Sequence, residues 1–124
     1  MEENEILKAI QVPVSVAGSG HAYCKLKRKT GDFATAASAV SLVVEGGVCK
    51  KINIALTNVG ATALKAEAAE SILTGQILSD LLIEKAVEKA MAICDPAEDL
   101  RGDREYKIHM AGEMTRRAIR EAFA

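Results

Sequence analysis

The residues able to do chemistry crowd into one stretch of this chain, Tyr23-Cys24-Lys25-Leu26-Lys27-Arg28-Lys29-Thr30-Gly31-Asp32-Phe33-Ala34. Lys25, Lys27, Arg28 and Lys29 set like charges side by side, and a bare cluster of that kind is ordinarily a solvated face. The aromatic neighbour opens a second reading. On a strand, alternation would put Lys25, Lys27 and Lys29 on one side with Tyr23 and turn Arg28 the other way. A phenol ring beside an ammonium suits a planar anionic ring system, because one offers edge or face contact and the other a positive charge. Phosphate pairing is the competing use. One Tyr and one nearby Phe, however, do not make the repeated stacking platform of a single-strand nucleic-acid binder.

Other chemistries lack carriers. The sequence contains no GxGxxG after a strand, no P-loop, HExxH, GxSxG or EF-hand pattern. Cys24, Cys49 and Cys94 are widely spaced, without a CxxC or a His at ligand distance, so reduced and mostly buried thiols are expected. Cys24 follows His21 by three residues and sits among cations, which would lower its thiol pKa, but nothing supplies the third orienting group of a nucleophilic site. Glu98, Asp99, Asp103 and Glu105 read as turn and cap residues rather than a paired acid and base.

The totals narrow the class further. With 124 residues the chain is sized for a single domain spanning 1–124, and its net charge of −1 removes the broad electrostatic footprint of a nucleic-acid binder. Only two Tyr, two Phe and no Trp are present, so the core must be built from Ala, Val, Ile and Leu. No apolar run approaches the roughly 20 residues that span a bilayer. The acidic start, with Glu2, Glu3 and Glu5, lacks the positive region of a signal peptide, and a cytoplasmic location is expected.

Several elements must position the Tyr23 stretch. Residues 5–12 suit a short strand or extended arm at an edge, halted by Pro13, and 15–20 form a small-residue loop. Residues 34–44 rise into β-branched types, Glu45-Gly46-Gly47 supplies a hairpin turn, and 50–57 return. Ile52, Ile54 and Leu56 alternate with Asn53, Ala55 and Thr57, the period of a strand with one buried face. After residue 62 the periodicity is helical. Residues 65–74 read as a short helix stopped by Gly75. A second is capped by Ser79 or Asp80, with Leu82, Ala86, Ala90 and Ile93 on one face. A third begins at Asp103 and runs to about Phe123, with Tyr106, Met110, Met114 and Ala118 as its core stripe. Strands first and helices afterwards give an α+β domain, a small antiparallel sheet of about three or four strands followed by about three helices packed on one face.

The order of these pieces resembles a family. Tyr23-x-Lys25, the basic residues, Asp32-Phe33-Ala34 and the Ala/Val-rich strand are similar to the C-terminal domain of the FAD-binding medium subunit of molybdenum hydroxylases, the carbon monoxide dehydrogenase and xanthine dehydrogenase family. The similarity extends through Glu5-Ile6-Leu7 with Ile10 and Pro13, and through Ile54-Ala55-Leu56 with Val59-Gly60-x-Thr62-x-Leu64-Lys65-Ala66. It continues through Ala69-Glu70 with Leu73-x-Gly75, Asp95-Pro96-x-x-Asp99-Leu100-Arg101-Gly102-x-x-Glu105-Tyr106-Lys107, and Thr115-Arg116-Arg117-Ala118.

That resemblance implies a domain that packs against FAD-binding domains and helps close the flavin pocket. Electrons would reach the FAD from iron–sulfur clusters in one partner subunit after oxidation at a molybdenum cofactor in another, and leave to an acceptor. Tyr23 would shield or stack near the ring, and Lys25 would favour negative charge on the reduced ring. Asp32 would belong to a mobile turn near the flavin edge, with Arg28 its ion partner. Lys29-Thr30-Gly31 differs from the paired-arginine, acidic version of xanthine dehydrogenases, so regulation through that loop is not expected. The family's pyrophosphate-binding Ala-Gly-Gly and Thr-x-Gly-Gly segments precede this region and are absent here, which suggests a piece of a split subunit or an excised domain with negligible FAD affinity by itself. Isolated, such a piece would expose its docking surface and could self-associate. The alternative is a stand-alone assembly or interaction module with the same fold and no electron-transfer role.

Overall fold

The alternation of Ile52, Ile54 and Leu56 with polar and small residues fixes which side of the central hairpin is buried, and the rest of the chain is arranged around that choice. The computed structural model describes residues 2–124. Its elements are β1 (Ser19–Leu26), β2 (Ala36–Glu45), β3 (Val48–Thr57), β4 (Leu64–Lys65), α1 (Glu67–Leu73), α2 (Asp80–Ala92) and α3 (Arg104–Phe123). The four strands form one antiparallel sheet in the order β1-β2-β3-β4. The expected α+β architecture, strands first and helices on one face, is therefore the observed one.

One face of the sheet is closed by the helices. Ala22, Val40, Leu42, Ile52, Ile54 and Leu56 are buried there with Ala69 and Leu73 of α1, Ile83, Ala86 and Val87 of α2, and Ala118 and Ile119 of α3. The aliphatic composition suffices because the layers approach closely. At Gly20, a Cβ would fall 1.7 Å from the carbonyl oxygen of Ala122, so only glycine lets the end of α3 lie against β1. At Gly112 a Cβ would meet Met91 Sδ at 2.5 Å, which sets the α2–α3 contact.

Helix boundaries follow their caps. Ser79 accepts from the Leu82 N–H at 3.4 Å and Asp103 from the Tyr106 N–H at 2.7 Å. The buried stripes are rotated from those expected. In α2 the buried residues are Ile83, Ala86, Val87 and Ala90, while Ile93 is exposed. In α3 Met114 and Ala118 are buried as expected, together with Lys107, Ala111, Thr115, Ile119 and Ala122, while Tyr106 is exposed and Met110 sits at the margin.

Two further differences concern the ends of the sheet. Of the two forms expected for residues 5–12 the structure shows the exposed arm and no strand, and that arm does not form the edge of the sheet, which is β1. At the other side Leu64–Lys65 pair with β3, and the short helix starts at Glu67 rather than at Lys65. There the Ile54 carbonyl accepts from the Ala66 N–H at 2.9 Å, and Glu70 Oε1 accepts from the Ile54 N–H at 2.9 Å, so the side chain of α1 completes the strand edge.

Candidate functional site

The opposite face of the sheet has no helix over it, and its residues follow from register. Tyr23 lies opposite Ala39, Ala39 opposite Ala55, and Ala55 opposite Lys65. Lys25 lies opposite Ala37, and Ala37 opposite Thr57. Directly opposed residues share a face. Tyr23 therefore stands 59% exposed beside a floor of small side chains, with Lys25 two residues further along the same strand. Sequence and structure agree on this pair.

They part company beyond Leu26. The β1–β2 ladder ends at Leu26↔Ala36, and the Thr35 N–H donates to the Leu26 carbonyl at 2.8 Å to close the loop base. Lys27, Arg28 and Lys29 consequently lie in a loop, and the expected sharing of one face by Lys25, Lys27 and Lys29 does not occur. The loop returns through a turn in which the Asp32 N–H donates to the Lys29 carbonyl at 3.2 Å, with Gly31 at φ +81°. Asn58, itself at φ +63°, donates from Nδ2 to the carbonyls of Ala34 and Thr35, which pins the base of the returning strand.

The turn brings Asp32 back to Lys25. Lys25 Nζ donates to the Asp32 backbone carbonyl at 2.8 Å. Arg28 is an ion partner of Asp32 as expected, at 3.3 Å from Oδ2. A second partner was not expected: Arg101, 69 residues away in sequence, places Nη2 3.2 Å from Oδ1. Arg101 first, then Arg28, hold the Asp32 carboxyl below the ordinary Asp range against the opposing effect of burial.

Arg101 is itself built into a tight loop. Asp99 Oδ1 accepts from the Arg101 N–H at 2.7 Å, Asp99 Oδ2 pairs with Arg101 Nη1 at 3.4 Å, and the backbones of Asp99 and Gly102 bond to one another. Beneath it, Lys107 is only 2% exposed, with Nζ 2.8 Å from Asp99 Oδ1 and donating to the Ala97 carbonyl at 2.6 Å. The Lys107 ammonium is the main cause of a lowered Asp99 pKa, followed by the Arg101 N–H. Asp99 is thus an ion-pair centre as well as the turn residue expected, whereas Asp103 is a cap as expected. The signal available in the sequence was Lys107 itself, a cation on an otherwise small and apolar helix stripe, which requires a carboxylate partner.

The thiols fall outside this chemistry. Cys49 and Cys94 are buried and Cys24 partly so, all three free. The Cys24 thiol pKa is raised, by burial first and then by the neighbouring Glu121 carboxylate, to which Sγ donates at 3.5 Å, so the expected lowering is wrong. Cations flank Cys24 in sequence, but across the fold burial and Glu121 outweigh the opposing charge of Arg117. Among the described residues no group of His, Cys, Asp and Glu could hold a metal ion.

The family described as CO dehydrogenase flavoprotein C-terminal domain matches residues 21–122. The carbon monoxide dehydrogenase medium chain of Hydrogenophaga pseudoflava is 50% identical over 124 residues, covering 100% of this chain and 43% of that relative. That of Afipia carboxidovorans is 51% identical over the same 124 residues and 43% of its own length. The solved carbon monoxide dehydrogenase from Hydrogenophaga pseudoflava lacking the Mo-pyranopterin moiety superimposes with a TM-score of 0.89 at 54% identity, over 90% of this chain and 39% of that one. The chain thus spans less than half the length of the curated relatives it matches.

Proposed function

The chain belongs to the CO dehydrogenase flavoprotein C-terminal domain family, and we propose that it is a single domain, 1–124, that forms one wall of an FAD site in the medium subunit of a molybdenum hydroxylase, its open sheet face turned towards upstream FAD-binding domains. The observation that carries this reading is the uncovered pair of Tyr23 and Lys25 over a floor of small residues, on a sheet whose other face is filled. When bound, the flavin supplies the capacity to accept and release electrons between iron–sulfur clusters and an acceptor. Carbon monoxide is the substrate class suggested by the names of the Hydrogenophaga pseudoflava and Afipia carboxidovorans relatives, with the molybdenum cofactor and iron–sulfur clusters in partner subunits.

The residues present fit part of that group. Tyr23 offers an aromatic ring, and Lys25 an ammonium with donor capacity left after its bond to Asp32. They do not fit a pyrophosphate. The N-termini of α2 and α3 are occupied by the side chains of Ser79 and Asp103, the latter an acid, and Gly46-Gly47 forms the β2–β3 turn. Tyr23 would cover the ring and exclude water from it. Lys25 would stabilise negative charge that develops there, an effect strengthened once docking removes solvent.

Two measurements test the proposal. Titration of the 124-residue chain with FAD should give no saturable binding in the micromolar range, and tight stoichiometric binding would overturn the view that the site is shared. In the flavin-loaded medium subunit, Lys25→Gln should move the flavin potential to more negative values. An unchanged potential would remove Lys25 from the site.

A further inference from the structure

Lys25 carries a long flexible side chain at the exposed end of β1, and an ammonium in that position ordinarily samples many rotamers. Among the described residues it donates to the Asp32 carbonyl at 2.8 Å. That acceptor can restrain Lys25 only if it is itself held, and its immediate surroundings do not hold it: Lys29, Thr30 and Gly31 are all exposed. The base of the loop is pinned at Ala34 and Thr35 by Asn58. The tip depends on the Asp32 side chain.

That side chain, 9% exposed, has two cations with different reach. Arg28 sits four residues away in the same loop and is 55% exposed, so its bond closes the turn on itself without tying it to the body of the domain. Arg101 does tie it. Its side chain is 23% exposed and its loop is clamped by Asp99, which in turn is fixed to the buried Lys107 of α3. We propose that Arg101 is the positioning residue of the Lys25 ammonium, acting through the Asp32 turn and anchored by Asp99 and Lys107 to α3. The chain of contacts runs from Lys107 Nζ through the Asp99 carboxylate, the Arg101 guanidinium and the Asp32 carboxylate to the Asp32 carbonyl and Lys25 Nζ. A planar guanidinium serves here because it meets Asp32 and Asp99 at the same time through different nitrogens, which a single ammonium cannot reproduce.

The link from Lys25 to a flavin rests on the proposed function, whereas the positioning itself is a property of this chain, and two readouts separate them. The first is hydrogen exchange with lysine-labelled NMR on the 124-residue chain. Arg101→Gln should speed exchange of the Asp32 amide by about tenfold or more and release the Lys25 ammonium, with α3 protection unchanged. Arg28→Gln should do much less, and Arg101→Lys should fall between. If Arg101→Gln raises exchange throughout the chain, Arg101→Lys carries the test. Asp32 exchange and Lys25 mobility equal to wild type in the readable Arg101 variant, or as large an effect from Arg28→Gln, would overturn the proposal. The second readout is the flavin potential of the loaded medium subunit. Arg101→Gln should shift it in the direction of Lys25→Gln and by less. A shift with Lys25→Gln alone would overturn the positioning role. Silence of both, with Lys25 released in the isolated chain, would leave the positioning in place and refute the flavin-facing reading.

Discussion

The two faces of one sheet use the same strands to opposite ends. On the helix side, Val40, Leu42, Ile52, Ile54 and Leu56 are large, aliphatic and sealed. On the open side, residues one step away in the same strands are Ala39, Ser41, Asn53 and Ala55, with Tyr23, Lys25 and Lys65 standing over them. Stability is concentrated where side chains are large and water is excluded. The open face is shaped instead by what it lacks, since small residues leave room for another surface and Tyr23 and Lys25 stand exposed beside them. Asn53 Nδ2 donates to Ser41 Oγ at 3.3 Å on that side and Lys65 pairs with Glu70 at 3.5 Å, while the Asp32 turn is tied to the helix side through Arg101, Asp99 and Lys107.

The largest test of this contrast compares adjacent residues of β3. Ile54 is 0% exposed, and Ile54→Ala should cost about 2–5 kcal/mol in denaturant unfolding, from lost transfer energy and the cavity left among α1 and the neighbouring strands. Ala55→Ser, one residue along and facing out, should stay within about 0.5 kcal/mol. Comparable losses at both positions would mean that the open face is already covered in the isolated chain, as self-association through it would produce.

Legibility in the sequence followed the same division. The β2–β3 hairpin, the caps at Ser79 and Asp103 and the facing of Tyr23 with Lys25 rest on local rules, period two and side-chain capping, and these need no knowledge of the fold. The β4 pairing was hidden because two residues carry no period, and it exists only where the edge of β3 captures Leu64–Lys65. Arg101 was hidden for a different reason. Its tie to Asp32 spans 69 residues, and no local pattern records a contact that tertiary packing alone creates. The rotated stripes of α2 and α3 show the same limit, since helical spacing gives a face but close contacts at Gly20 and Gly112 decide where it points.

Acid should separate the faces by smaller effects. Asp32 and Asp99 have lowered pKa values, as do Glu84, held mainly by Arg116, and Glu113, held mainly by Arg117. A carboxyl group whose folded pKa lies below its unfolded value binds fewer protons folded than unfolded, so its contribution is complete above the unfolded pKa, about 4, and is lost as pH falls through the folded value. The thermal midpoint should therefore owe no change to these groups between neutral pH and about pH 5, and should fall below about pH 4. Glu84→Gln should lower the midpoint at neutral pH and make little difference at the acid limit. Asp32→Asn should act chiefly on exchange in the 27–34 loop, because its contacts restrain that loop rather than the helix-side core.

The three thiols give the finest measure of how well the helices seal their face. Cys94 is buried, donates to the Ala90 carbonyl at 3.3 Å, and has its pKa pushed up to about 11 by burial. Cys49 is 0% exposed and is raised by the same cause, partly offset by a backbone hydrogen bond at Lys51. Cys24 lies at the edge strand, partly open, with Glu121 as its neighbour. Thiolate is the species that reacts with alkylating reagents, so both access and pKa set the rate. At neutral pH and native conditions a small iodoacetamide-type reagent should modify Cys24 first, more slowly than a free thiol, while Cys49 and Cys94 react only on unfolding. Glu121→Gln should speed Cys24 modification, since removing the carboxylate removes one cause that disfavours the thiolate. Reaction of Cys94 at the rate of Cys24 would show that the helix side opens locally without global unfolding, and the contrast between a sealed face and an open one would then hold only on average over time.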